Sequence, residues 1–378
     1  MNARLPAIAD KRIVVCVGSG GVGKTTVAAA LAVQAALAGK KTLVLTIDPA
    51  RRLANSLGLV ELDNTETRIE PAIFAQAGVE PRGELWGMML DVKRTFDELI
   101  HRIAPNRDAA ERILDNHYYQ NLSDALAGSQ EYMAMEKLYE VQAERDYEVI
   151  VVDTPPTKHA LDFLEAPKRM ADFLDGKVIQ WFLKPSMKAG KMGLAMAQRS
   201  AAMAFKMLER FTGYEMMADL AEFFLAFDGM YDGFKNRAAH VKKLLGAAST
   251  GFVLVTSPAN PAIDEAAFFY DRLAREKMKP AAVVFNRVHQ WPIPGDEYIA
   301  AAKATRERIM ARFSQYAPAI DALIGNAVDQ ARMTRDDAEA IDKFLRHGRK
   351  QVGVYRVPAF AEDVHDLSAL LRVGAYLV

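Results

Sequence analysis

Short runs of apolar and β-branched residues recur along the chain, and most are followed by longer stretches with helical spacing. Several runs are continuously apolar, which is typical of parallel strands that are covered on both faces. Strands that alternate with helices predict an α/β fold built on a doubly wound, mostly parallel sheet. The predicted strands are IVVCV (13–17), TLVLTI (42–47), LWGMML (85–90), VIVVD (149–153), FVLVT (252–256), AVVF (282–285) and VYRVP (354–358).

Two stretches interrupt this alternation, about 92–148 and about 159–248, where the pattern is helical without a convincing strand. Because predicted strands lie on both sides of them, we expect an α-helical subdomain inserted into a single domain that spans 1–378. The core of that domain would then consist of 11–91, 149–158 and 249–378. This placement disfavours two independent domains.

Composition narrows the class of protein. Lys+Arg and Asp+Glu both number 48, and this balance argues against non-specific binding of nucleic acid. The one cysteine, Cys16, excludes a disulfide scaffold and lies inside a predicted strand, so we expect a buried structural thiol in a reducing compartment. The longest uncharged stretch, 244–263, contains glycine and proline and reads as a turn, a strand and the start of a helix. We therefore expect a cytoplasmic protein without stable membrane insertion.

Residues 18–25 read Gly-Ser-Gly-Gly-Val-Gly-Lys-Thr and match the pattern G-x-x-x-x-G-K-[ST] between a predicted strand and a predicted helix. Glycines let backbone N–H groups turn towards an anion, and the helix N-terminus adds its dipole. Lysine supplies a charge to the β- and γ-phosphates, and threonine can ligate Mg²⁺. The residues expected to bind the nucleotide are Gly20, Gly21, Val22, Gly23, Lys24, Thr25 and Thr26.

Two aspartates, Asp48 and Asp153, stand at the ends of predicted strands. The carboxyl ends of parallel strands are where ligands bind in open α/β sheets. An aspartate there can orient a water molecule or hold Mg²⁺ through the ion's water shell. Alternatively, each aspartate begins a turn or caps the next helix.

The phosphate loop, the segment 48–50 (Asp-Pro-Ala) and the segment 153–161 (Asp-Thr-Pro-Pro-Thr-Lys-His-Ala-Leu) together resemble the arsenite-pump/tail-anchored-protein-targeting ATPase family of deviant-Walker P-loop proteins. The resemblance implies a Mg²⁺-dependent ATPase that works as a nucleotide-switched dimer. It also implies that Asp48 activates the attacking water and that 153–161 is a second switch, which senses the γ-phosphate. Partition and division-site ATPases share the loop but lack this second segment.

Two further segments match the family's base-binding positions. Asn286 and Arg287 follow one predicted strand, and Pro358 and Phe360 follow a later one. In the family, an asparagine and a proline loop at these places hold adenine. His289 stands where GTPases carry the aspartate that reads guanine, which favours ATP. Without the resemblance, Asn286 is also compatible with an ordinary turn after a strand.

The chain also departs from the family pattern. Ser19 occupies the place of a signature lysine that reaches across the dimer to the partner's phosphates. This change implies either a slow ATPase or a regulatory subunit that pairs with a lysine-bearing relative. Arg51 and Arg52 are candidates for the missing charge, although neighbouring arginines usually lie on a solvated helix edge. Cys16 alone supports neither the family's thiolate metalloid site nor its zinc-joined dimer, so we expect no zinc.

The last candidate feature is rich in methionine. Nine of the 17 methionines fall between 165 and 235. On a helix over 192–211, four of them form one stripe: Met192, Met196, Met203 and Met207. Methionine suits adaptable hydrophobic grooves, so the stripe predicts a groove for the hydrophobic helix of a client membrane protein. A plain helical core explains the stripe equally well. A third alternative is a membrane-surface ATPase of the partition type, with this basic segment as an interfacial helix.

Overall fold

The computed structural model describes residues 8–47, 52–116, 119–120, 129–155, 230–278, 280–292, 295–346 and 352–378. The described residues divide between two compact units. The first unit takes the chain segments 1–89, 146–160 and 246–378, and the second takes 90–145 and 161–245.

The first unit contains an eight-stranded sheet in the order β3-β4-β2-β5-β1-β6-β7-β8. Every neighbouring pair is parallel except β3 and β4, which are antiparallel. All the strands predicted from the apolar runs are present, which confirms the α/β fold with a mostly parallel sheet. The strands are β1 (Ile13–Val17), β2 (Lys41–Thr46), β3 (Thr67–Arg68), β4 (Glu84–Met89), β5 (Val149–Asp153), β6 (Thr250–Thr256), β7 (Pro280–Val288) and β8 (Gly353–Pro358).

Helices flank this sheet and also build the second unit. In the first unit the described helices are α1 (Lys24–Leu37), α2 (Arg52–Ser56), α3 (Pro71–Gln76), α8 (Asn260–Arg275), α9 (Gly295–Arg312), α10 (Ala317–Arg346) and α11 (Leu367–Gly374), with a short 3₁₀ turn at Ser314–Tyr316. In the second unit they are α4 (Val92–Ile103), α5 (Arg107–Leu114), α6 (Ser129–Glu144) and α7 (Tyr231–Leu245).

The core of the first unit lies around β1. Every residue of β1, β5 and β6 is buried, as expected for strands covered on both faces. Helix α1 is almost entirely apolar and buried, because it packs against the sheet and is covered by α11. Since the neighbours of β1 run parallel to it, their carboxyl ends meet at one edge, directly above the N-terminus of α1.

The second unit is held by aromatic packing among α4, α6 and α7. Phe96 lies 5.4 Å from Tyr119 and 6.3 Å from Phe234, measured between ring centroids. Beside this cluster, Arg237 of α7 forms an ion pair with Glu136 of α6, whose side chain is 2% exposed. Burial raises the pKa of Glu136, and the Arg237 guanidinium opposes that rise.

None of the helices in the described part of the chain is long and apolar enough to cross a lipid bilayer.

Candidate functional site

The loop between β1 and α1 requires glycine at two positions, where its backbone comes too close to neighbouring residues to leave room for a side chain. Gly23 caps α1 with φ 91°, a left-handed conformation that favours glycine. A Cβ at Gly23 would also collide with the side-chain amide of Asn286. A Cβ at Gly18 would collide with the carbonyl oxygen of Val255 in β6. The loop is therefore packed tightly against the ends of two other strands, with its backbone curled over the start of α1.

Lys24, the first residue of α1, points back into this loop. Its Nζ donates a hydrogen bond of 2.8 Å to the carbonyl oxygen of Ser19. The residue is 7% exposed, so its ammonium group is largely removed from bulk water. A buried cation held beside a ring of loop amides favours the binding of an anion there.

A second cluster lies beside the loop at the end of β5. Thr25 Oγ1 donates to Asp153 Oδ2 at 2.7 Å, and Thr46 Oγ1 of β2 donates to the same oxygen at 3.1 Å. Asp153 is fully buried. A threonine hydroxyl next to a carboxylate provides the hard oxygen donors that Mg²⁺ prefers, so these residues fit the metal that a phosphate loop requires.

The strand ends are also joined through Cys16 and Thr154. Thr154 Oγ1 donates to the carbonyl oxygen of Cys16 at 2.7 Å, which fixes the backbone directly after Asp153. Cys16 is buried. Burial raises the pKa of its thiol well above the ordinary value, the Asp153 carboxylate raises it further, and Lys24 opposes the rise. The thiol therefore stays protonated, as the sequence predicts for a structural cysteine.

Asn286 connects the end of β7 to the loop. Its side-chain amide donates from Nδ2 to the carbonyl oxygen of Val22 at 2.8 Å, and the residue is buried. The next residue, Arg287, has φ 60° and an exposed side chain. At this left-handed residue the pairing of β7 with β8 shifts register, between Phe285 and Val288.

The phosphate loop, the start of α1 and the ends of β5 and β7 line one cavity of about 680 Å³. Most of the residues predicted to bind the nucleotide line it: Gly21, Gly23, Lys24, Thr25, Thr26, Asn286, Arg287, Pro358 and Phe360. Gly20 and Val22 belong to the same loop, and Asp153 lies behind Thr25. The structure thus brings together residues from both ends of the sequence, while their individual roles remain predictions.

Two further segments form walls of the cavity. Arg52, Asn55 and Ser56 of α2 form one wall. Another is the loop between β8 and α11, which contributes Glu362, Asp363, Val364 and His365. Beyond Phe360 this loop carries no recognisable motif, and the pairing of β8 with β7 and the packing of α11 on α1 place it here.

Ser19, the residue at the signature-lysine position, bonds to a neighbouring helix. Its Oγ donates to Glu265 Oε2 of α8 at 2.5 Å. Ser19 is 8% exposed, whereas Glu265 lies at the surface. Position 19 therefore provides no positive charge, and its hydroxyl is engaged by a carboxylate.

Several predicted residues lie outside the described residues: Asp48, Arg51, the four methionines Met192, Met196, Met203 and Met207, and residues 156–161 of the second switch segment. Among the residues that are described, no three His, Cys, Asp or Glu side chains gather as a metal-binding group.

Comparison with known proteins gives one family and several relatives. The model of the family described as anion-transporting ATPase matches residues 11–316. The chain is 30% identical to ATPase GET3 of Malassezia globosa over 154 residues, which are 40% of this chain and 41% of the relative. It is 30% identical to a putative arsenical pump-driving ATPase of Halobacterium salinarum over 179 residues, 45% of this chain and 26% of the relative. A putative arsenical pump-driving ATPase 1 of Aquifex aeolicus is 24% identical over 289 residues, 73% of this chain and 63% of the relative. Each match thus spans less than two thirds of the relative's length.

Proposed function

Because the chain belongs to the anion-transporting ATPase family, we propose that it binds ATP with Mg²⁺ and hydrolyses it to ADP and phosphate. The observation that carries this proposal is the cavity of about 680 Å³, in which the phosphate loop faces Asn286, Pro358 and Phe360. A cavity of this size accommodates a nucleotide.

In this proposal the loop amides and the N-terminus of α1 bind the phosphates, and Lys24 supplies a positive charge to them. Thr25 and, through water, Asp153 would hold Mg²⁺, which when bound neutralises charge on the phosphate oxygens. Asp48 would orient the attacking water, a role that rests on the family resemblance. Asn286, Arg287, Pro358 and Phe360 would form the adenine site.

The test is ADP and phosphate release by the purified protein, with and without Mg²⁺. Lys24→Ala is expected to abolish ATP binding in calorimetry, because it removes the cation inside the loop. Lys40→Ala is the matched control, since Lys40 lies at the surface, where its Nζ bonds to Glu148 at 2.8 Å. Unchanged ATP affinity in Lys24→Ala, or wild-type protein that binds no ATP, would refute the proposal.

The proposal extends to a dimer whose helical insertion binds a hydrophobic helix of a client membrane protein. Two features support it: the methionine stripe of 192–207 and the similarity to proteins named ATPase GET3. Whether the partner is a second copy or a related ATPase can be determined from the mass of the purified complex with nucleotide bound.

A second candidate function is a regulatory subunit with little turnover of its own. The hydrogen bond from Ser19 to Glu265 favours it, because the loop position that carries the family's lysine here faces a carboxylate. Turnover of the purified homodimer, compared with that of a mixture with a lysine-bearing relative, separates the two functions.

A further inference from the structure

Arg52 begins α2 and lines the cavity together with Gly21, Gly23, Lys24 and Thr25. Its backbone is held firmly, because Leu53 and Ala54 are buried in the core and Ser56 Oγ donates to the Arg52 carbonyl oxygen at 2.8 Å. The side chain itself is exposed. Within the described part of the chain, the Arg52 guanidinium has no carboxylate partner.

The strand that α2 follows indicates whether Arg52 lies closer to the phosphates or to the base of a nucleotide bound in the cavity. Arg52 follows β2, and β2 ends at Thr46, whose hydroxyl lies 3.1 Å from Asp153 Oδ2. This is the side of the sheet that carries the Thr25–Asp153 pair. The cavity's other arginine, Arg287, lies near the end of β7 on the opposite side of β1, next to Asn286.

The phosphate loop itself supplies one cation, Lys24, and position 19 adds none because Ser19 Oγ is bonded to Glu265 at 2.5 Å. Transfer of a phosphoryl group is accelerated mainly by positive charge placed near the transferred group's oxygens. A guanidinium suits this task, since its planar fork donates two hydrogen bonds to phosphate oxygens at once and keeps its charge at all working pH values.

We propose that Arg52 supplies, within the same chain, the positive charge that Ser19 does not provide, by binding oxygens of the γ-phosphoryl group during transfer. In that step the water oxygen bonds to the γ-phosphorus while the bond from phosphorus to the β–γ bridging oxygen breaks. The water's proton ends on the released phosphate, and ADP leaves with the bridging oxygen. Arg52 exchanges no proton or electrons. This inference rests on the proposed ATPase function.

The experiment compares wild type, Arg52→Ala and Arg52→Lys, with Arg82→Ala as control. Arg82 is exposed and precedes β4, at the amino end of the strands, away from the cavity. Steady-state kcat and KM for MgATP are measured with the affinity for ADP and for ADP with aluminium fluoride, which mimics the transferred phosphoryl group. Melting temperatures establish that each variant is folded.

Arg52→Ala is expected to lower kcat at least about 100-fold, the size of loss that follows removal of one donor to the charge of a transition state. Affinity for ADP is expected to change less than about threefold, while the aluminium fluoride complex is lost. Arg52→Lys retains part of the rate, and Arg82→Ala behaves as wild type. An Arg52→Ala protein with wild-type kcat, or with an equal loss of ADP affinity, overturns the inference while leaving the ATPase function in place. Wild-type protein that neither binds nor hydrolyses ATP overturns both.

Discussion

Ser19 Oγ donates a hydrogen bond of 2.5 Å to Glu265 Oε2, so the second position of the phosphate loop is tied to α8. The ammonium group of a lysine introduced at this position would pair with the Glu265 carboxylate instead of reaching the phosphates bound by the partner of a dimer. We therefore expect Ser19→Lys alone to raise ATP turnover only slightly. Ser19→Lys combined with Glu265→Gln is expected to raise it at least about tenfold, because the new cation is then available in trans.

Glu265→Gln alone serves as the control for this first prediction and should leave turnover near the wild-type rate. Equal turnover in Ser19→Lys with and without Glu265→Gln would show that Glu265 does not hold the introduced ammonium group.

The hydrogen bond from Asn286 to the Val22 carbonyl leads to a second prediction. In Asn286→Asp a carboxylate oxygen would face the Val22 carbonyl, where the amide now donates at 2.8 Å. We expect a loss of about 1–3 kcal/mol in the free energy of unfolding, and also weaker ATP binding. Both losses should exceed those caused by Asn286→Ala. Gln290→Glu makes the same change in charge at an exposed position of the following loop. Thermal melting and calorimetry would contradict the prediction if Asn286→Asp matched this control.

Substitution of Asp48 tests the proposed role of this residue in orienting the attacking water. A carboxylate that orients water contributes to hydrolysis more than to binding. We expect Asp48→Asn to bind MgATP within about threefold of wild type and to hydrolyse it at least about 100-fold more slowly. Single-turnover measurements with pre-bound ATP separate these two effects. Hydrolysis at the wild-type rate would mean that another residue orients the water.

The buried pair between Arg237 and Glu136 gives a prediction about stability and pH. Arg237→Met leaves a carboxylate that is 2% exposed without its partner. We expect a loss of about 3–5 kcal/mol in the free energy of unfolding near neutral pH. Arg237→Met with Glu136→Met is expected to recover most of it, because no buried charge then remains.

The pH dependence of the Arg237→Met variant follows from the pKa of Glu136. In the folded protein this pKa is already raised above the ordinary value of 4.5 by burial, and loss of the guanidinium raises it further. Between the ordinary and the raised pKa the folded state binds a proton that the unfolded state does not. The variant should therefore gain stability as the pH falls through this window, and the double variant should not. Parallel pH profiles of the two variants would contradict this.

Introducing aspartate into the methionine stripe tests whether the stripe lines a groove or belongs to a helical core. If it lines a groove, Met196→Asp with Met203→Asp keeps the melting temperature and ATP binding but abolishes capture of an apolar helical peptide. Met133→Asp is the comparison, since Met133 is fully buried in α6 and an unpaired charge there costs several kcal/mol. Unfolding of the stripe variant to the same extent as Met133→Asp would mean that the stripe is core.

Most of the strands could be predicted because parallel strands that are buried on both faces consist of continuous apolar residues. The exception is β3, since Thr67–Arg68 is too short to produce a pattern and pairs antiparallel at the sheet edge. The loop motif indicated one wall of the cavity, because its glycines and its lysine are close together in the sequence. The sequence offers Arg51 and Arg52 alike as the missing cation, and no local pattern points to Glu265. Their placement depends on the order of the strands and on helix packing, which no local pattern encodes.

Helix α11 lies against α1, although the two come from opposite ends of the sequence, and the loop before α11 forms a wall of the cavity. During synthesis on the ribosome, the phosphate loop emerges before the other seven strands of the sheet, and this wall emerges after all of them. A nascent chain therefore presents a phosphate loop long before it can enclose a nucleotide. On the proposed function, ATP stabilises the folded protein only after β8 has paired with β7, so ligand-assisted folding follows translation of this wall.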